Sequence, residues 1–247
     1  ETLSGPEIRQ LEPALAPDVK YGVYSPDCLL VVDPLTLTRR HAEWFERNGG
    51  AILRETVTEI EIASGAVRTV VTDKSRHAVD EVVLAAGVWS RRLARRIGRD
   101  VPVASERGYH LMLPNHGVGL RMPLLNGDHR FGIIPMRDGI RLAGTAEFAG
   151  LDAEPNWRRA DMLLPLARRL VPGLEGDGAT RWMGHRPSTP DSLPVIGTAP
   201  GVRNAHFAFG HGHLGLTMGA VTGKLVAELI AGRPASLDLA PYRPDRF

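Results

Sequence analysis

Residues 204–232 read NAHFAFGHGHLGLTMGAVTGKLVAELIAG, and the order of features in this stretch decides how the rest of the chain is read. Asn204 to Phe209 is short, apolar and aromatic, as a buried strand is. Gly210, Gly212 and Gly215 follow in quick succession, and glycine lets a backbone take positive φ and approach a ligand closely. Leu214, Met218, Val221, Leu225 and Leu229 then recur at helical spacing, forming one apolar face of a helix that stops at Gly232. A helix entered directly from such a loop turns its unpaired N–H groups and its partial positive charge toward the loop. That end suits an anion, or negative charge developing on a ring. Without a ligand, the same segment is simply a glycine-rich helix start.

A second segment has the same grammar. DEVVLAAGVWS (80–90) is a continuous apolar run, expected as a strand buried on both faces, that ends in Ala85, Ala86 and Gly87. Small residues there let a planar or phosphate group lie at the carboxyl edge of an α/β sheet, or let a helix pack closely on the strand. Before it, Gly5–Leu11 reads as a short helix with Pro6 in its first turn. A longer helix is capped by Asp33 and begun by Pro34. Its Leu37, His41, Trp44, Phe45 and Asn48 are periodic, and Gly49-Gly50 end it. Residues 51–62, 66–72 and 79–85 read as strands. The middle of the chain changes character: 109–113, 121–125, 130–135 and 139–147 are short and separated by turns, as in an antiparallel sheet. A helix over 155–170 interrupts them. The expectation is a mixed α+β and α/β fold of two domains, the first discontinuous: residues 31–100 with 201–240, and residues 1–30 with 101–200.

Composition narrows the classes. Of 247 residues 43% are hydrophobic and 23% charged, which excludes a disordered or fibrous chain. Thirty basic residues against 28 acidic ones leave a formal charge of +2, so the arginines are no nucleic-acid footprint. The single cysteine, Cys28, excludes an internal disulfide framework and a multi-cysteine zinc module. The longest helix-compatible apolar stretch, 214–230, carries Lys224 and Glu228, so no transmembrane helix is expected. No segment has the pattern of a signal peptide, and a first residue of Glu1 suggests that the natural N-terminus lies upstream.

WMGHRPSTPDSLPVIG (182–197) places Arg186 directly before Pro187. Proline forces its predecessor into extended conformation, so the guanidinium is projected and suits bidentate capture of a carboxylate, unless it is an ordinary surface arginine. Tyr109, after Gly108 at a strand start, offers a phenol to the same carboxylate or caps a core strand. His185, His206, His211 and His213 raise the question of a metal; the glycines argue for a loop, and no metal site is expected. SRRLARRIGR (90–99) reads as a solvated helix face. Glu106, Glu147 and Asp191 read as isolated carboxylates without an acid/base pair.

In sequence order, LEPALAPDVKYGV (11–23), VDP (32–34), LAAGVWS (84–90), RGYHL (107–111), GTAEF (144–148), GHRPSTPDSLPVIG (184–197) and GHGHLGLT (210–217) resemble the FAD-dependent amino-acid oxidoreductases of the D-amino acid oxidase and dehydrogenase superfamily, relatives of glycine and sarcosine oxidase. The likeness runs from about residue 7 to residue 232. The resemblance implies FAD as cofactor, an incomplete Rossmann-like FAD-binding domain, and an antiparallel-sheet substrate-binding domain with helices. It implies that Gly212, His213, Leu214, Gly215, Leu216 and Thr217 meet the isoalloxazine. Val57 then places a backbone group on adenine, and Ala85, Ala86 and Gly87 line the dinucleotide. Trp89, Gly184 and Gly210 count among the cofactor-binding positions. Arg186 matches the arginine that pairs with the substrate carboxylate, and Tyr109 an active-site tyrosine. The family's G-x-G-x-x-G unit is absent from this sequence, which implies an N-terminal portion preceding it.

The implied activity is oxidative deamination of an amino acid, D-amino acid dehydrogenase foremost, by hydride transfer from Cα. The alternatives are a secondary-amine oxidase of glycine, sarcosine or hydroxyproline type and a non-catalytic flavoprotein half that needs a partner chain. A small-molecule amino acid substrate, an unspecified electron acceptor, self-association into a homo-oligomer, and a cytoplasmic location or a peripheral one at the inner membrane complete the expectations.

Overall fold

The computed structural model describes all residues, 1–247. In chain order the elements are β1 (Thr2–Ser4), α1 (Gly5–Leu11), β2 (Tyr21–Val23), α2 (Pro34–Arg47), β3 (Val57–Ala63), β4 (Ala66–Thr72), β5 (Arg76–Ala78), β6 (Val82–Leu84), α3 (Ser90–Arg96) and β7 (Ala104–Leu113). There follow β8 (Leu124–Asn126), β9 (Phe131–Met136), β10 (Gly139–Glu147), α4 (Arg158–Asp161), α5 (Leu163–Leu170), β11 (Thr180–Ser188), β12 (Val195–Thr198), β13 (Ala205–Phe209) and α6 (Gly215–Ile230). Two compact units result: residues 1–47, 107–147 and 152–184, and residues 48–106, 148–151 and 185–247.

In the first unit a five-stranded sheet has the order β11-β7-β10-β9-β8. Alternation along its strands sends Leu111 and Leu113 of β7, Phe131 and Ile133 of β9, and Ile140 and Leu142 of β10 into one core, which Leu163 and Ala167 of α5 cover. Gly139 is required at the β9–β10 turn: its φ is +137°, and a Cβ there would come within 2.2 Å of the Leu113 carbonyl oxygen. Glu12 is wholly buried, and its carboxylate accepts the N–H of Arg121 at 2.6 Å and of Met122 at 3.3 Å. As the sequence suggests, Asp33 caps α2, accepting the Thr36 N–H at 2.8 Å.

The second unit holds two three-stranded sheets, β12-β13-β6 and the antiparallel β3-β4-β5. β13 pairs antiparallel with β12 and parallel with β6, in the register Ala205 with Val82, His206 with Val83 and Phe207 with Leu84. Phe207, Phe209, Leu84, Val88, Val67 and Val195 form its core. Asn204 fastens the two sheets together. Its amide oxygen accepts the Val67 N–H at 2.8 Å, and its nitrogen donates to the Val67 and Asp80 carbonyls at 2.9 and 2.6 Å.

Several sequence expectations need correction. Residues 51–56 are not strand: β4 ends at Thr72, opposite Val57, so the earlier residues have no pairing partner. β6 is not buried on both faces. It is an edge strand and Val83 is 39% exposed. The helix expected over 155–170 is two helices, because Pro165 near the start of α5 has no N–H for the Asp161 carbonyl and its ring crowds that group. The packed face of α6 is rotated from the expected one. Leu225 and Val226 are buried together with Thr222 and Glu228, while Leu214 and Val221 face outward. Two polar anchors cause the rotation: Thr222 Oγ1 lies 2.9 Å from His211 Nε2, and Glu228 accepts the Ser236 N–H at 2.8 Å. The contact pattern also draws the division into units differently from the sequence. α2 groups with the first unit, where Arg137 donates to the Val32 carbonyl at 3.0 Å and pairs with Asp33 at 2.8 Å. Residues 185–200 group with the second, through the pairing of β12 with β13.

Replacing Asn204 by alanine leaves two backbone carbonyls and one N–H without their partner in a buried setting. The expected loss is about 2–4 kcal/mol of unfolding free energy by urea denaturation, and a loss under about 0.5 kcal/mol contradicts the anchoring role.

Candidate functional site

Because β6 and β13 run in parallel, their carboxyl ends emerge side by side at one edge of the sheet. In open α/β sheets that edge is where ligands sit. β6 leads into Ala85, Ala86 and Gly87, the last at φ +55°. β13 leads into Gly210 at φ +82° and Gly212 at φ +51°, values in the left-handed region that glycine tolerates. A Cβ on Gly210 would stand 2.9 Å from Thr189 Cγ2, so that turn is closed by packing as well as by dihedral. The loop is held to β11 by the Gly212 N–H donating to the Pro187 carbonyl at 2.9 Å and by a bridge between Ser188 and His211.

The start of α6 is uncapped. Leu214 supplies no side-chain cap, and the first backbone bond into the helix is Met218 N–H to Leu214 C=O at 2.9 Å. The N–H groups of Gly215, Leu216 and Thr217 are left for an outside acceptor, and residues 213–217 are all exposed. No acidic side chain in the first turn offsets the helix dipole.

Against this loop lies a cleft of about 640 Å³, lined by Glu106, Ser188, Thr189, His211, Gly212 and His213 among others. Glu106 is its hub. Its carboxylate accepts from Ser188 Oγ at 2.9 Å and His213 Nε2 at 2.6 Å, and Arg186 Nη1 lies 3.3 Å away. Burial opposes ionisation of Glu106, but the bonds from Ser188 and His213 and the charges of His213 and Arg186 outweigh it. Its carboxyl is held below the usual carboxylate range. Nη1 is the bonded nitrogen of Arg186, whose side chain is 26% exposed; Arg186 stands behind Glu106 and is not itself among the residues that line the cleft. Burial pushes His211 below the usual imidazole value, which keeps it neutral at pH 7.

The other sequence-derived residues fall as follows. Tyr109 is 1% exposed, its hydroxyl donates to Glu147 and accepts the Asn156 N–H at 3.0 Å, and its ring meets Trp157 edge-on. Arg107, fully buried, donates to the Ala153 and Glu154 carbonyls beside it. This is a sealed network that orders the chain after β10, with Thr145 at φ +56° in the bulge preceding Glu147. Gly184 is needed because the Trp182 indole, stacked on His110, lies across it: a Cβ would meet the ring at 2.0 Å. Trp89, 55% exposed, meets His185 edge-on. Val57 is half-buried against the core of its unit. The four histidines have separate partners: His185 with Ser105, His206 with Glu81 and Thr198, His211 with Thr222, and His213 with Glu106.

Sequence reading missed Glu106 and Ser188. Arg186 and Ser188 share a strand face by their two-residue spacing, but nothing in the sequence says that Glu106, eighty residues from Arg186, is their partner.

The mixed helix and antiparallel-sheet fold is that of FAD-dependent oxidoreductases to which it is similar, and the family model described as "FAD dependent oxidoreductase" (DAO) matches residues 1–229. The chain belongs to this DAO family. It is 39% identical over 249 residues to a D-amino-acid oxidase of Bradyrhizobium diazoefficiens, covering 99% of this chain and 59% of that protein. A D-amino acid dehydrogenase of Paramagnetospirillum magneticum is 35% identical over 98% of this chain and 58% of its own length. The chain thus spans about three-fifths of these curated relatives. The crystal structure of glycine oxidase from Geobacillus kaustophilus aligns over 100% of this chain and 67% of that one, at 28% identity and a TM-score of 0.89.

The residues present fit the flavin ring of FAD on their own chemistry. Three unbonded N–H groups at an exposed helix start suit the carbonyl oxygens of a pyrimidine ring, and Gly212, where a Cβ would meet nothing nearer than Ser188 Oγ at 3.7 Å, adds no side chain to the loop.

Replacing Tyr109 by phenylalanine removes the donor to Glu147 and the acceptor of the Asn156 N–H. The expected result is a loss of about 1–3 kcal/mol in unfolding free energy with carboxylate binding unchanged. Weakened carboxylate binding with stability intact would restore Tyr109 to the binding site.

Proposed function

We propose that this chain carries the flavin-ring and substrate-carboxylate sites of an FAD-dependent enzyme that oxidises the CH–NH2 bond of an amino acid, a D-amino acid dehydrogenase foremost. The observation that carries the reading is the uncapped, exposed start of α6 at the mouth of a glycine loop, with Arg186 and its partners beside that loop. The named activities of the relatives in Bradyrhizobium and Paramagnetospirillum support the substrate class. The second unit, residues 48–106, 148–151 and 185–247, takes both the flavin-contacting role and, through Arg186 and Glu106, the substrate-carboxylate role.

The backbone of Gly212–Thr217, beside Ala85–Gly87, would hold FAD, which when bound would supply the acceptor for the hydride. The protein's own contribution is positional. The Arg186 fork binds the substrate carboxylate and so fixes which Cα substituent faces the ring. Glu106 holds Arg186 from one side, and Ser188 holds Glu106. The positive end of α6 would favour negative charge on a ring bound there. The substrate's ammonium would first lose its proton to solvent. Loss of a hydride from Cα of the neutral amine then leaves the protonated imino acid, which water hydrolyses to a 2-oxo acid and ammonia. The only proton the step releases can thus pass to water.

A substrate of the glycine-oxidase type is the second reading, favoured by the likeness to the Geobacillus structure. A screen of D-alanine, glycine and sarcosine with an artificial electron acceptor, scored by ammonia or methylamine release, separates the two. Oxidation of none of them contradicts both.

Two variants test the residues. Arg186→Lys is expected to raise KM at least about tenfold, since a point charge does not reproduce the planar fork, while flavin content holds; an unchanged KM removes the clamp. Gly212→Val places a branched side chain at positive φ and costs about 1–2 kcal/mol at that residue. Flavin retention after desalting should fall, and full retention would move the ring site elsewhere.

A further inference from the structure

We infer that His213 is the catalytic base of this site, taking the proton from the substrate's ammonium at Nδ1 and handing it on to solvent. The inference rests on the proposed oxidation of an amino acid beside the loop that follows β13, and it names the group through which the ammonium proton leaves.

The partner of His213 fixes its tautomer. Glu106 is kept ionised, and an ionised carboxylate only accepts. The 2.6 Å contact between its Oε1 and His213 Nε2 is therefore an N–H donated by the ring. In the neutral imidazole Nε2 then carries the hydrogen and Nδ1 a bare lone pair. Glu106 is itself steadied by the Ser188 hydroxyl at 2.9 Å and by Arg186 behind it at 3.3 Å, so one edge of the ring has a firm anchor. The rest of the ring is open, with 59% of the side chain exposed against 13% for Glu106. Both residues line the cleft, and His213 follows Gly212 within the very stretch whose backbone faces the proposed ring space.

The other titratable groups of the lining are unsuited to the task. Arg91 is a cation committed to Asp100 through Nε at 2.6 Å and Nη2 at 3.0 Å. His211 has its Nε2 bonded to Thr222 at 2.9 Å, and burial makes its ring a weaker base than an ordinary imidazole. Glu106, held below the usual carboxylate range, is weaker still. What Glu106 supplies is a negative charge beside the imidazolium that forms when His213 accepts the proton. One N–H bond of the ammonium breaks as the Nδ1–H bond forms, and no electron is transferred. Water takes the proton from the exposed ring, which returns to its starting tautomer, and the substrate is left as the neutral amine that hydride loss requires.

His213→Ala tests this in the flavin-loaded enzyme, with the rate of flavin bleaching by D-alanine, oxygen excluded, followed from neutral to alkaline pH. At neutral pH the rate is expected to fall at least about tenfold. It should recover at alkaline pH, where the substrate is already a free amine, and at neutral pH when imidazole is added to fill the vacated space. Should the alanine variant lose its flavin, His213→Gln, which keeps an N–H for Glu106, carries the same pH test. A loss of equal size at every pH that imidazole does not relieve gives His213 a merely structural part and overturns the base role. Variants that keep the wild-type rate and pH profile overturn it as well, and leave the oxidation of amino acids standing. A wild type whose flavin is bleached by no amino acid at any pH overturns that reaction and the base role with it.

Discussion

Three residues of parallel pairing, Ala205–Phe207 against Val82–Leu84, are what the rest of the site depends on. An antiparallel arrangement would send the two strand ends to opposite edges. The parallel one brings Ala85–Gly87 and the loop from Gly210 together, and aims the start of α6 at the space beside them. Short strands give little ladder energy, so the register is fixed from outside. Phe207 and Phe209 fill the core beneath, and Asn204 ties the start of β13 to the backbone at Val67 and Asp80. A buried amide that satisfies three backbone groups permits little sliding, since a shift of one residue would leave all of them unpaired.

The two carboxylates flanking β7 and β10 show how environment separates tasks among similar groups. Glu147 is bonded by Tyr109, and with Arg159 and Arg107 nearby it is held below the usual carboxylate range despite burial. Its network faces inward and stiffens the chain after β10. Glu106, also kept ionised, opens on the cleft and shares its charge among Ser188, His213 and Arg186. One carboxylate is structural and the other borders a ligand space, although both look equally isolated in the sequence.

Local signals were legible where local physics decides. Gly5 to Leu11, Pro34 to Arg47, the strand 66–72 and the strand 139–147 have their punctuation in the sequence: Pro6 in a first turn, Asp33 as a cap, Gly49-Gly50 as a stop, and Gly65 and Gly139 at turns. The glycine loop and its helix were legible for the same reason. What was not legible depends on partners distant in sequence. The face of α6 was misread because Thr222 and Glu228 are drawn inward by His211 and Ser236, overriding the apolar pattern. The burial of β6 was overestimated because an apolar run does not reveal that its strand lies at an edge. Glu106 was passed over because its meaning comes from Arg186, on a strand far along the chain, and Tyr109 gave no sign that its hydroxyl is committed to Glu147.

The central claim is that the uncapped start of α6 receives the flavin ring, and amide hydrogen exchange tests it at the atoms concerned. The account predicts that the N–H groups of Gly215, Leu216 and Thr217, which have no partner in the protein, exchange rapidly in the flavin-free protein and become protected on loading with FAD. Protection that appears elsewhere while these three remain fast would contradict the claim and place the ring outside the loop of β13.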